Sequence, residues 1–317
     1  MSIKVQAAEE QKSWLPRFSE MFGAKGAHIE QSEIEALIAE EDGTAKARRE
    51  RRRALIVPRE HGAWGLLLVP MVTGAGIAFR ESSNFFPFLL LLTAALTLFW
   101  LRTPLESYLG TSAVKAQTVE ERRDVLFAAV YLAAIAGLAL AMLLRGGTNP
   151  LLWLTGCAAG AAFAGQALLK KLGRKMRMLS EMVGIVGLTA SAPAAYYVVT
   201  GKFGATAWIL WLANLLFAGN QIHYVQLRIH TTRAVGIRDK FAKGWAFATG
   251  EFVMAALLTV ACVLRLLPWI ALVAFFPLWF RGFLYFFQKP AALAVRRLGW
   301  NELAQAVAFC ILFIVTF

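Results

Sequence analysis

The sequence is poor in charged residues, which make up 17% of its 317 residues, whereas 58% are hydrophobic. Soluble domains carry about 25% charged and roughly 45–50% apolar residues. A soluble domain of this length has no interior large enough for the excess of apolar side chains. The composition therefore excludes a soluble protein and a disordered chain.

Cysteine is scarce as well, with three residues, Cys157, Cys262 and Cys310, that all fall inside apolar runs. Their spacing is not typical of metal ligands, and they are too few to form the disulfide framework of a secreted domain. We interpret them as small buried side chains. The N-terminus also lacks a short basic stretch followed by an apolar core, so we expect no signal peptide.

What the sequence does have is a series of long apolar runs that approach the ~20 residues a transmembrane helix needs. The runs do not alternate as strands do, so the sequence predicts an all-α, polytopic integral membrane bundle of about nine transmembrane helices. They lie at about 62–79, 84–101, 124–144, 150–169, 182–200, 204–223, 246–264, 268–287 and 299–317.

The chain changes character near residue 57. Residues 1–57 are polar and predict a cytoplasmic N-terminal tail, and residues 58–317 predict the transmembrane domain. Within the tail, residues 14–22 fit one apolar helical face. A capping box at Ser32–Glu35 opens a second short helix. We expect both amphipathic helices to pack on the cytoplasmic face or to anchor at the interface.

The net charge of +13 lies entirely in the apolar part, because residues 1–60 hold 11 basic and 11 acidic residues. Most Lys and Arg residues follow the second, fourth, sixth and eighth runs, whereas the opposite loops hold one each: Arg80, Arg145, Lys202 and Arg265. The positive-inside rule then predicts a cytoplasmic N-terminus and a C-terminus outside. The basic run at 46–53 favours anionic lipid headgroups, and no module suggests nucleic-acid binding.

Polar residues at the ends of membrane spans are candidates for function because they are costly there. The first group opens the first run, where Arg59, Glu60 and His61 follow Pro58. Glu60 and His61 are candidate catalytic acid and base groups, and Arg59 is a candidate anion ligand. The alternative is an interfacial helix cap paired with Arg59.

A second group follows the second run, where Arg102 and Glu106 are four residues apart and share a face if the helix continues through Pro104. They form either part of an anion site or a local ion pair.

The third group is the densest polar stretch, residues 220–236. With about 3.6 residues per turn, Asn220, His223, Tyr224 and His230 fall near one helical face, and Arg228 points elsewhere. All five are candidate ligand-binding residues, and the alternative is a solvated helix extension. Two acids at span ends, Glu181 and Glu251, are interpreted as structural ion-pair partners.

These residues resemble a known family. Pro58-Arg59-Glu60-His61-Gly62-Ala63-Trp64-Gly65, followed by Leu-Leu-Leu-Val-Pro70, is similar to the opening signature of the bacterial YwiC-like membrane proteins. That resemblance implies a bacterial cytoplasmic membrane protein, with the N-terminal tail outside the matched part. The layout also distantly resembles the UbiA-type intramembrane prenyltransferases, which have nine helices and active-site segments after helices two and six.

The UbiA resemblance implies a central cavity, and in those enzymes two Asp-rich motifs hold Mg²⁺ on a prenyl diphosphate. Here the segment after the second run has only Glu106 as an acid, and Arg228, His230, Thr231 and Thr232 stand at the acidic positions of the second motif. We therefore expect no paired Mg²⁺ site, and leave the cofactor unassigned. Arg228 and His230, whose side chains suit an anion, thus stand where the UbiA-type enzymes have acids that hold a cation.

The sequence thus favours a YwiC-like membrane protein that binds an isoprenoid or other anionic lipid (di)phosphate at the cytoplasmic side. If it is an enzyme, we expect a prenyltransferase-like transferase. One alternative is a metal-dependent enzyme that uses Glu60, His61, Glu106, His223 and His230. The others are a non-catalytic membrane partner or assembly protein, and a transporter, although no internal repeat suggests inverted halves.

Overall fold

The computed structural model describes residues 46–58, 61–112, 114–145, 150–172, 176–232, 236–288 and 295–317. By compactness the chain divides into two units, Met1–Arg53 and Ala54–Phe317. The predicted amphipathic helices of the tail lie outside the described residues. The predicted domain boundary at residue 57 stays a prediction.

The described residues form an all-α structure without strands, which confirms the predicted fold class. The helices are α1 (46–56), α2 (His61–Ala78), α3 (Phe85–Tyr108), α4 (Val119–Arg145), α5 (Pro150–Lys171), α6 (Arg177–Thr189), α7 (Ser191–Thr200), α8 (Ala205–His230), α9 (Ile237–Val263), α10 (Phe276–Phe287) and α11 (Val295–Thr316). A 3₁₀ helix, Trp269–Ala274, precedes α10.

Each predicted apolar run corresponds to helix in the structure. Within the described residues, five helical segments are long and apolar enough to cross a membrane: Phe85–Tyr108, Val119–Arg145, Leu179–Thr200, Ile237–Val263 and Arg297–Thr316. Trp64–Ala78 and Leu151–Gln166 are apolar but shorter. The protein is a polytopic membrane bundle, and the total of nine spans stays a prediction.

Two predicted runs are not single straight helices. The run at 182–200 is divided at Ala190, which ends α6 and precedes α7. The run at 268–287 begins as the 3₁₀ helix, and α10 starts only at Phe276 with Pro277 in its first turn. Proline has no N–H to donate, so it is tolerated at a helix start and ends the preceding hydrogen-bond series.

Helix α2 lies at the centre of the packing and contacts α6, α7, α8 and α11. Its close approach to α7 depends on Gly74, where an added Cβ would lie 2.1 Å from the carbonyl oxygen of Ala192. The core continues into the C-terminal helices, where the rings of Phe217 and Phe309 stack at 4.1 Å. Helices α8 to α11 pack as successive neighbours beside this core.

The three cysteines differ in their surroundings. Cys262 and Cys310 are buried, as predicted, but the prediction is wrong for Cys157, which is exposed on α5. The sequence around Cys157 is apolar, and an apolar surface that faces lipid cannot be distinguished from an apolar core by composition.

Candidate functional site

A cluster of charged and amide side chains lies inside the C-terminal helices, with one residue from each of α8, α9, α10 and α11. The Asn220 side-chain amide donates to Oε1 of Glu251 at 2.6 Å. Nη1 of Arg281 donates to Oε1 of Glu302 at 2.5 Å, and Nη2 lies 3.5 Å from Oδ1 of Asn220. We call these four residues the charged cluster.

The cluster is buried, since the side chains of Arg281 and Glu302 are 11% and 15% exposed. The Arg281 guanidinium also stacks on Tyr224, with Cζ 3.9 Å from the ring centroid. Moving charges out of water costs several kcal/mol for each ion, so a pair of this kind persists only with good geometry and further hydrogen bonds. The cluster therefore fixes the positions of α8, α10 and α11 relative to one another.

Glycine allows α10 to approach α9 at this point. An added Cβ at Gly282 would lie 2.9 Å from the ring of Phe247 and 3.1 Å from Oε1 of Glu251. On the α8 side, a Cβ at Gly250 would lie 3.0 Å from Nδ1 of His223. The small residues at 250 and 282 thus give Glu251 its position between α8 and α10.

Several polar atoms at the cluster are buried without a hydrogen-bond partner in the described part of the chain. They are Oε2 of Glu251, Oε2 of Glu302, Nε of Arg281, Nε1 of Trp279 and Oε1 of Gln305. Such atoms are rare in folded proteins because each costs free energy. Glu251 also borders two cavities, one of about 230 Å³ with Phe252, Ala255 and Trp279, and one of about 130 Å³ with Asn220, His223 and Gly250.

A second group of charges surrounds Tyr285 on α10. Cζ of Arg228 lies 4.9 Å and Nζ of Lys240 lies 4.4 Å from the centroid of its ring. The ammonium of Lys240 donates to the carbonyl oxygens of Tyr285 at 3.2 Å and of Gln288 at 2.5 Å, and the Tyr285 hydroxyl lies 2.6 Å from the Thr231 hydroxyl. We call Arg228 and Lys240 the Tyr285 cations.

The structure brings together most of the ligand residues predicted after the sixth run. Helix α8 continues to His230, so the stretch is helical up to that residue, and Asn220 and Tyr224 are buried on its inner face. His223 lies against Gly250, and Arg228 lies on Tyr285. His230 is exposed at the end of α8. Four of the five candidates therefore contact the neighbouring helices α9 and α10.

The candidates from the other segments lie elsewhere or outside the described residues. Helix α3 continues through Pro104, and Nε of Arg102 donates to Oε1 of Glu106 at 2.9 Å. The two residues therefore form the local ion pair, which was one of the two predicted alternatives. The Arg102 guanidinium also lies 5.9 Å from the ring of Phe163. Arg59 and Glu60, and the side chain of His61, lie outside the described residues.

Metal-ligand side chains do not converge in groups of three within the ranges that the structure describes. Of the residues in the metal-enzyme hypothesis, Glu106 bonds to Arg102 on α3, whereas His223 lies against α9. These two predicted ligands therefore have separate surroundings.

Sequence reasoning missed the centre of the charged cluster. Glu251 was expected at a span end, but α9 begins at Ile237, so Glu251 lies near the middle of that helix. Neither Arg281 nor Glu302 is among the candidate residues that the sequence pattern singles out. The signal in the sequence is that Glu251, Arg281 and Glu302 are ionisable residues inside otherwise apolar runs. An ionisable side chain is costly in a membrane, so each of them is a candidate for function.

Comparison with known proteins assigns part of the chain. Residues 57–196 match the YwiC-like protein family. The match confirms the resemblance predicted from the Pro58–Gly65 opening and covers somewhat less than half of the chain. No curated protein matches the sequence. The YwiC-like part spans α2 to α6 and half of α7, so the charged cluster and the Tyr285 cations follow it.

Proposed function

We propose that this membrane protein binds the phosphate or diphosphate headgroup of an isoprenoid or another anionic lipid where α8 ends and α9 begins. The observation that carries the proposal is the convergence of Arg228 and Lys240 on Tyr285. Neither cation has a carboxylate within ion-pair distance in the described ranges. Two neighbouring positive charges that are not directly paired with a carboxylate attract an anion from outside the chain.

Arg228 is suited to the direct contact. Its guanidinium is a planar fork of N–H donors that matches phosphate oxygens, and the ring of Tyr285 supports its plane. Lys240 uses its ammonium on two carbonyl oxygens, so it contributes positive charge rather than a ligand contact. The exposed His230, at the end of α8, is a further candidate donor for an anion.

We assign this end of the bundle to the cytoplasmic side of a bacterial membrane, with the N-terminus inside and the C-terminus outside, because the basic loops lie there. The exposed Phe241 and Trp245 on the first turns of α9 support a position at the membrane interface. An anionic lipid would then meet Arg228 with its headgroup while its chains stay in the bilayer.

Direct binding by cations replaces the Mg²⁺ that Asp-rich motifs would hold in a UbiA-type enzyme. Arg102 is a weaker candidate for the headgroup because its guanidinium bonds to Glu106. Arg59 remains a predicted ligand, and Glu60 and His61 remain the predicted acid and base of a prenyltransferase-like reaction.

The test is binding by the purified full-length protein in nanodiscs, titrated with farnesyl diphosphate and separately with dioleoyl phosphatidic acid. We expect Arg228→Ala to weaken binding of both roughly 10- to 100-fold, since a hydrogen bond to a charged group contributes ~1.5–3 kcal/mol. Arg228→Lys keeps the charge but loses the fork, so its affinity should be intermediate.

Lys243→Ala is the matched control, because Lys243 is an exposed cation on α9 that already pairs with Asp239 at 2.8 Å. It should change the affinity less than about twofold. Absence of binding by the native protein, or equal affinities for Arg228→Ala and Lys243→Ala, would contradict the proposal.

A further inference from the structure

Glu251 is an acid without a direct cation partner inside a membrane helix. It lies near the middle of α9, which is long and apolar enough to cross a membrane. Across the described ranges, its carboxyl group has no Lys, Arg or His within ion-pair distance. Oε1 accepts from the Asn220 amide at 2.6 Å, and Oε2 is buried without a hydrogen-bond partner there. An amide carries no charge, so it would leave an ionised Glu251 uncompensated.

The charged cluster contains two acids but one cation. Arg281 bonds directly to Glu302 at 2.5 Å, whereas it is connected to Glu251 through Asn220, whose Oδ1 lies 3.5 Å from Nη2. Moving a charge out of water costs several kcal/mol, and a buried acid without a counter-charge takes up a proton instead. These contacts make Glu302 the ion-pair partner and Glu251 the acid that holds a proton.

A cavity of about 130 Å³ between α8 and α9 borders this acid. Its polar lining consists of Asn220, His223 and Glu251, and its other lining residues are apolar or glycine. A water molecule needs on the order of 10–15 Å³ and two to four polar partners, so the cavity has room for water. His223 precedes the end of α8 at His230 by seven residues, which is about 10 Å at 1.5 Å per residue.

We propose that Glu251 binds one exchangeable proton within the membrane and exchanges it with water through this cavity. On release, the O–H bond of the carboxyl group breaks, the proton passes to a water molecule to give hydronium, and the carboxylate keeps the hydrogen bond from Asn220. The surrounding ionisable side chains in the described part of the chain are His223 on α8, Arg281 on α10 and, beyond Arg281, Glu302 on α11. Intramembrane acids of this kind form the proton relays of pumps and transporters. The proton site does not depend on the proposed headgroup site.

Infrared spectroscopy of the full-length protein in nanodiscs tests for the proton, because a protonated carboxyl group has a C=O stretching band that a carboxylate lacks. At about pH 6 a glutamate in water is ionised. We expect the native protein to show the acid band at this pH, and we expect Glu251→Gln to lose it. Glu81→Gln is the matched control and should keep the band, since Glu81 pairs with Lys202 at 3.2 Å. A native spectrum without the band, or a band that persists in Glu251→Gln, overturns the proposal.

Gly219→Leu tests the route of exchange, since Gly219 lines the cavity and an added Cβ there has no atom within 4 Å. Leucine would fill the space for water, so exchange would then require local opening of the helices. After transfer to D₂O, we expect the acid band to shift roughly tenfold more slowly in this variant. Gly137→Leu on α4 is the matched control, because its added Cβ is equally free and Gly137 does not line the cavity. Equal exchange rates in the two variants overturn the proposed route.

Discussion

At the scale of single residues, the most constrained side chain is Arg281. It contacts three residues from two other helices: Glu302, Asn220 and Tyr224. A guanidinium stays charged at every relevant pH, so it cannot escape burial by losing a proton. Its contacts therefore stabilise the bundle only while its carboxylate partner is present.

We predict that Arg281→Met and Glu302→Met each lower the free energy of unfolding by about 3–5 kcal/mol, because each leaves a buried charge unpaired. The double variant should recover much of that loss, because it removes both charges. Thermal unfolding in detergent, followed by intrinsic fluorescence, measures the effect. Lys243→Met, which breaks an exposed pair with Asp239, should cost less than ~1 kcal/mol. A double variant that is less stable than both single variants would contradict this.

At the scale of helices, the contact between α2 and α7 is set by a glycine. The backbone of Ala192 occupies the space that a side chain at position 74 would need. Backbone atoms cannot move aside as the end of a flexible side chain can. The two helices must therefore separate when Gly74 is replaced by any larger residue.

We predict that Gly74→Ala lowers the free energy of unfolding by about 1–3 kcal/mol, the usual range for an overpacked core. Gly65→Ala in the same helix is the control, since an added Cβ there has no atom within 4 Å. The control should be neutral or slightly stabilising, because alanine favours helix over glycine. Unfolding temperatures of the two purified variants check this, and similar unfolding temperatures for the two would contradict a packing effect specific to position 74.

The same scale shows what the sequence could predict. The long apolar runs predicted the helices and their order, because a segment that crosses a bilayer must satisfy its backbone hydrogen bonds internally and few structures other than a helix do so. The break at Ala190 and the late start of α10 at Phe276 depend on local packing and on Pro277. The face with Asn220 and Tyr224 followed from helical periodicity. The pair Arg281–Glu302 did not, because it joins α10 to α11 and depends on how the helices rotate.

At the scale of the whole molecule, the two ends of the bundle carry different charge arrangements. Where α8 ends, Arg228 and Lys240 lie together on Tyr285, and neither forms a direct ion pair in the described ranges. Where α8 begins, the acid Glu81 is held from two sides. The Tyr196 hydroxyl donates to its Oε1 at 2.6 Å, and Nζ of Lys202 donates to its Oε2 at 3.2 Å.

The bond from Tyr196, followed by the bond and charge of Lys202, lowers the pKa of Glu81 below its ordinary value of 4.5. A carboxylate with a lowered pKa contributes stability above that ordinary value, and the contribution is lost as the pH falls through the folded-state pKa. We predict that the native protein loses stability below about pH 4.5 more steeply than Glu81→Gln does. Unfolding temperatures between pH 3 and pH 7 test this, and parallel curves would contradict it.

The charged cluster also has a consequence for biogenesis. Synthesis and insertion proceed from the N-terminus, so α8 and α9 enter the bilayer before Arg281 and Glu302 have been made. During that interval Glu251 has the Asn220 amide as a neighbour but no cation. An acid is costly in hydrocarbon until a cation or a proton neutralises it, so we expect α9 to stay at the insertion machinery until α10 arrives. A ribosome stalled after α9 should therefore hold a chain that crosslinks to the translocon, whereas one stalled after α11 should release it to lipid.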